Sequence, residues 1–160
     1  MLKNLAILTT ALSASLLLSV PAVAMTASQK VEVERQVTQP NGDVLIVTEA
    51  PNTVVPGDTL IYTVDFHNDK EEITENFRID MPVPTEVTYI EGTAVRDDAV
   101  VLYSVDGGLR YEARNVLTVE TAEGETRSAV AEDITHIRWT LSRDVMPGDR
   151  GEIKFKGQLK

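Results

Sequence analysis

The chain has 160 residues, 25 of them acidic against 15 basic, a net charge of −10 and no cysteine. A surface this acidic repels phosphate backbones and anionic lipid, which excludes a nucleic-acid binder and disfavours adhesion to a charged membrane. The missing cysteines remove disulfide staples, thiolate catalysis and thiolate metal ligands together.

Residues 1–24 differ in character from the rest. Lys3 gives a short positive start, an apolar run follows over 5–20, and Pro21-Ala22-Val23-Ala24 ends it with small residues. That order is the n-, h- and c-region arrangement of a secretory signal, with cleavage expected after Ala24. Removal of this segment leaves no apolar stretch long enough to anchor the protein in a bilayer. It also makes the remainder, one domain of ordinary size, still more acidic. None of the asparagines starts an N-x-[ST] sequon. A bacterial periplasm or cell surface suits such an exported, cysteine-free chain.

Beyond residue 24 the apolar pattern repeats every second residue, and no segment holds a helical period. Residues 30–38 alternate Val31, Val33 and Val37 with Glu32, Glu34 and Gln36. An Asn41-Gly42 turn leads into a β-branched run over 44–48. The clearest strand is 58–67, with Leu60, Tyr62, Val64 and Phe66 directed to a core. Thr59, Ile61, Thr63, Asp65 and His67 of that strand face water. Residues 69–76 read as a solvated loop. Phe77, Ile79 and Met81 begin a further strand, followed by 86–90, 100–105, 109–113 and 116–121. Asp106-Gly107-Gly108 marks a hairpin, and 120–133 reads as an exposed acidic loop. Ile137, Trp139 and Leu141 then alternate with His136, Arg138 and Thr140. The last strand places Ile153, Phe155 and Leu159 inward and Lys154, Lys156, Gln158 and Lys160 outward. Its lysines mark 151–160 as a candidate protected edge strand.

One local pattern occurs twice. Pro56-Gly57-Asp58 precedes the strongest strand, and Pro147-Gly148-Asp149 precedes the last. Proline fixes the first corner of a type II turn and glycine supplies the positive φ of the second. The aspartate is placed to accept a backbone amide as each strand begins. Nine or ten short strands with such punctuation predict an all-β, immunoglobulin-like antiparallel β-sandwich behind a cleaved signal peptide. The expected organisation is signal peptide over 1–24, N-terminal strands over 25–52 and sandwich core over 53–160. Leu60, Tyr62, Val64, Phe66, Trp139 and Phe155 are the expected core anchors, and the four tyrosines are expected to be half-buried.

Residues 53–67, Thr-Val-Val-Pro-Gly-Asp-Thr-Leu-Ile-Tyr-Thr-Val-Asp-Phe-His, and then Asn68, resemble the opening of a bacterial surface repeat, the domain of unknown function eleven family. Asp80-Met81-Pro82-Val83-Pro84, the stretch Val87-Thr88-Tyr89-Ile90-Glu91-Gly92-Thr93 and the segment 139–159 follow the family's later motifs in order. The resemblance covers about residues 53–159. It implies an immunoglobulin-like sandwich with a structural or interaction role, and it brings no catalytic residues. That family occurs in tandem copies, whereas this chain has room for one.

Candidate chemistry is sparse. No G-x-S-x-G elbow is present, and the two histidines, His67 and His136, lie on different predicted strands, facing outward. Two isolated histidines lack the spacing of a zinc site. Asp97, Asp98 and Asp106 are the calcium candidates, because hard cations take several loop oxygens, but they lack EF-hand periodicity. Trp139 reads as a core residue, with a surface ligand platform as the sharper alternative. The sequence therefore predicts a non-enzymatic exported structural or interaction domain, with no cofactor and a protein or envelope component as partner. A carbohydrate- or calcium-binding accessory module is the alternative.

Overall fold

The computed structural model describes residues 25–160; the signal segment and its cleavage site after Ala24 lie outside the described residues. In chain order the elements are β1 (Met25–Thr38), β2 (Val44–Glu49), β3 (Thr59–Asn68), β4 (Arg78–Pro82) and β5 (Val87–Tyr89). β6 (Ala99–Ser104), β7 (Thr118–Glu120), β8 (Thr126–Ser128), a 3-10 turn (Ala131–Asp133), β9 (His136–Leu141) and β10 (Arg150–Leu159) complete the fold. The strands form a five-stranded sheet ordered β2-β1-β3-β10-β5, a three-stranded sheet ordered β4-β9-β6 and a small β7-β8 ribbon. Every pairing is antiparallel.

Two sheets bury one face each, so alternation becomes packing. From the larger sheet, Val33, Leu60, Tyr62, Val64, Phe66, Ile153 and Phe155 point into the interior. Met81, Tyr103, Ile137, Trp139 and Leu141 meet them from the smaller one. Phe155 stands at the centre: its ring stacks on Tyr62 at 4.9 Å and lies 6.5 Å from the Trp139 ring. All six expected core anchors are buried. Residues 25–52 and 53–160 share this structure, since β1 pairs with β3 over ten residues and its Val33 is fully buried.

Two of the four tyrosines depart from expectation. Tyr89 and Tyr103 are buried, as Tyr62 is at its core position, and Tyr111 is half-exposed. The Tyr89 and Tyr103 hydroxyls lie 3.2 Å apart, and Tyr89 also accepts the Ala94 N–H, so the interior satisfies their polar ends. Ile61 and Thr63 are likewise buried on the outer face of the sheet, where water was expected. β3 is flanked there by Glu32 and Lys156 opposite Ile61 and by Lys30 and Lys154 opposite Thr63. The aliphatic stems of those charged residues cover it, and Lys156 reaches Glu34 across the strand.

The segment 120–133 is not an open loop. Thr121 N–H donates to Glu125 O, and Gly124, at φ 81°, donates to Thr121 O, which closes the β7-β8 hairpin. Gln39, Gly42 and Asp43 repeat that pattern between β1 and β2. Residues 109–113 form no strand beyond one bridge from Glu112 to Tyr103. The Asp106 carboxylate takes the amides of Leu109 and Arg110, which are then unavailable to a ladder.

β10 is not the edge strand its lysines suggested. β3 pairs along one side of it and β5 along Gly157–Leu159 on the other. Further along, Ile90 N–H donates to Lys156 O, Thr93 Oγ1 accepts Lys156 N–H, and Arg96 donates to Glu152 O. Lysine on the exposed face and lysine on an edge give the same sequence, and here the face is the reason. Gly157 permits this close approach, since a Cβ there would collide with Val87 Cγ1. We expect Gly157→Ala to cost about 1–3 kcal/mol, the usual range for overpacking, with faster hydrogen exchange at the Ile90 and Lys160 amides that tie β5 down.

Candidate interaction edge

Both Pro-Gly-Asp corners form as the residues dictate. Gly57 and Gly148 take φ of 96° and 81°. Asp58 accepts Val55 N–H at 2.9 Å, and Asp149 accepts Met146 N–H at 3.1 Å. Arg143 holds Asp149 at 2.8 Å, and Arg35 stands 3.5 Å from Asp58. Pro56 and Pro147 thus launch β3 and β10, the central strand of the larger sheet and its neighbour.

The calcium candidates do not converge. Asp98 precedes β6 and is gripped by Arg96, whereas Asp106 follows β6 at its other end. Asp106 accepts Ser104 Oγ and the Leu109 and Arg110 amides, and it pairs with Arg110. These bonds, the Arg110 amide foremost, hold its carboxyl down to about 2. Asp97 neighbours Asp98 in the turn that leads into β6, remote from Asp106. Among the described residues no cluster of three or more histidine or acidic side chains has metal-binding geometry. Trp139 is 1% exposed with its indole N–H on Ala94 O at 2.8 Å, so it is a core anchor and no platform.

The two histidines sit at opposite ends of the larger and smaller sheets. His136 is half-buried beside Thr135 and Gly108. His67 pairs with Asp69 at 2.5 Å on the rim of a 560 Å³ groove shared with Thr26, Ser28, Asp65, Arg150 and Glu152. Thr26 gives its proton to Asp69 at 2.6 Å, not to the imidazole. Nucleophilic catalysis needs the reverse order, hydroxyl to base to carboxylate.

Other carboxylates are held below their usual range by partners: Asp80 by Arg138, Asp98 by Arg96, Asp133 by Arg127 and Asp149 by Arg143. A depressed folded-state value contributes stability above the ordinary carboxylate range and loses it as pH falls toward the folded value. The urea midpoint should therefore drop steadily from about pH 4 toward pH 2. A midpoint that stays flat through that window would show that these pairs contribute nothing.

β2 is the feature with no internal explanation. Val44, Leu45 and Ile46 are 56%, 47% and 61% exposed, and Val37 opposite Leu45 is 46% exposed. Residues Arg35–Thr38 of β1 pair only with β2, because β3 begins opposite Glu34. The hairpin therefore projects beyond the sheet. Its bonding direction follows from its turn. Gln39 N–H donates to Asp43 O, and hydrogen-bonded pairs alternate along an antiparallel ladder. Val37–Leu45 and Arg35–Val47 are then bonded pairs, and Val44, Ile46 and Thr48 turn their N–H and C=O groups outward. Among the described residues nothing bonds them there.

The other sheet edges are each blunted. β5 has three residues and follows Pro84, β4 ends in Pro82, and β6 is bridged at Tyr103 by Glu112. Proline, short length and cover are the usual protections; β2 (VLIVTE) has no proline within it and, among the described residues, no segment over its outer side, Pro51 lying beyond its end. Sequence reading found this strand but not its standing, because period-two patterns show faces and say nothing of lateral neighbours. No family model, curated protein or solved structure matches the chain.

Proposed function

We propose that the chain is an exported, non-enzymatic interaction domain of immunoglobulin-like type, working in the periplasm or at the cell surface and engaging its partner along β2. The unprotected outward edge of β2 is the observation that carries this reading. The secretory pattern of residues 1–24 and the motif resemblance over 53–159 support it. A cut after Ala24 would leave all the described residues of β1, from Met25, which pairs with Asn68.

The test has two parts. The product recovered outside the cytoplasm should begin at Met25. A photo-crosslinker replacing Ile46 should give a discrete adduct in intact cells, while one replacing Leu109, 83% exposed elsewhere, should give none. Cytoplasmic retention, or equal adducts from both positions, sinks the reading.

A further inference from the structure

Resting on that reading, we infer that the occupant of β2 is an extended segment of another protein, added antiparallel, with β-branched, mostly apolar residues over five positions between two basic ones. Strand addition supplies affinity from main-chain bonds and specificity from alternate side chains. The outward N–H and C=O groups of Val44, Ile46 and Thr48 set the main-chain part. Side chains set the rest: Val44, Ile46 and Thr48 line one face, Leu45 and Val47 the other, so an incoming strand meets apolar surface on both.

Charge selects the partner. Exposed Asp43 and Glu49 bracket β2, and Glu34 and Asp58 lie close by. Arg35 is shared between Glu49 and Asp58, and Lys156 is committed to Glu34, so the surroundings keep a negative excess. A second copy of this chain fits poorly. Two-fold pairing of the outward residues places Ile46 against its own counterpart and Asp43 against Glu49 at both ends. Directly opposed like charges destabilise a sheet, and two bodies this acidic repel besides. Lysine or arginine opposite Asp43 and Glu49 turns both contacts favourable.

The capped peptide Lys-Thr-Val-Ile-Thr-Val-Lys presents this pattern, its first residue opposite Glu49 and its last opposite Asp43. With the protein recovered from expression of the full chain, calorimetry should show saturable binding below about 1 mM. N-methylation of the peptide's central amide, which faces β2, should weaken binding at least about tenfold. N-methylation of the third residue's amide, which faces away, should change it by less than about twofold. Replacing both lysines by glutamate should also cost at least about tenfold near 20 mM salt, with the gap shrinking near 0.5 M. Ile46→Lys, checked for an unchanged circular dichroism spectrum, should bind at least about tenfold more weakly.

Equal loss from both N-methyl positions, indifference to the lysines, or no saturable binding overturns the inference. So does a concentration-dependent dimer that Ile46→Lys abolishes, which would make a second copy the occupant. If the peptide fails while Ile46 still crosslinks in cells, the interaction-domain reading stands and this partner chemistry falls.

Discussion

Replacing Trp139 by alanine should lower the unfolding free energy by about 3–5 kcal/mol, the range for losing a large buried aromatic. Two losses act together. The first is the cavity: Trp139 is 1% exposed and lies over Phe155, which is itself fully buried. The second is polar, because the Ala94 carbonyl loses the indole N–H it accepts at 2.8 Å. An orphaned buried acceptor accounts for about 1–3 kcal/mol of that loss. Domains of this size hold about 5–15 kcal/mol in all, so the variant should be marginal at body temperature. Trp139→Phe separates the terms, since it keeps most of the ring and loses the bond. Equilibrium urea unfolding of both variants measures this. A loss under about 1 kcal/mol for Trp139→Ala would show that the two sheets do not depend on that contact.

Asn68 should matter nearly as much, although it carries no apolar surface. It is fully buried at the end of β3, donates to Glu72 O at 3.0 Å and Val145 O at 2.9 Å, and accepts Lys70 N–H. Its main chain joins Gly148 and Asp149, so one residue ties β3, the 69–76 loop and the second Pro-Gly-Asp corner together. Asn68→Ala removes the donor to Glu72 O and the acceptor of Lys70 N–H, and it leaves Val145 O with the Thr74 N–H alone, at a cost of about 1–3 kcal/mol. Asn68→Asp is more informative. A carboxylate facing two carbonyl oxygens is disfavoured, so its folded-state pKa is raised above the unfolded one. A group of that kind stabilises below its unfolded value and loses the contribution as pH rises through the folded value. The deficit of Asn68→Asp relative to wild type should therefore shrink as pH falls toward 4. A deficit that stays constant with pH would mean the side-chain amide is not bonded as described.

How far the sequence could be read depends on what each signal reports. Alternation over 58–67 correctly gives the inward face of β3, and Ile137, Trp139 and Leu141 do the same for β9, because period two is a statement about faces. The Pro-Gly-Asp corners are equally legible, being local: φ preference and one carboxylate settle them within four residues. Lateral order is not local. Lys154 and Lys156 could guard an edge or cover Thr63 and Ile61, and only the partners of β10 decide. The free edge of β2 hides for the same reason, since Val44 to Val47 reads as apolar whether paired on one side or two. The burial of Tyr89 and Tyr103 is not legible locally, because each satisfies the other's hydroxyl across 14 residues of chain. At 109–113 the alternation is real, but a carboxylate outcompetes the ladder for the amides of Leu109 and Arg110.

The position of β10 also governs when the protein can fold. This strand joins β3, some ninety residues earlier, to β5, so β5 stays detached from the larger layer until Arg150–Leu159 has been made. Closing so long a loop is slow, and the contacts that reward it arrive last. The seam between β3 and β5 can therefore close only after this late-made strand arrives, and the inward residues it brings, Ile153 and Phe155, complete the core last.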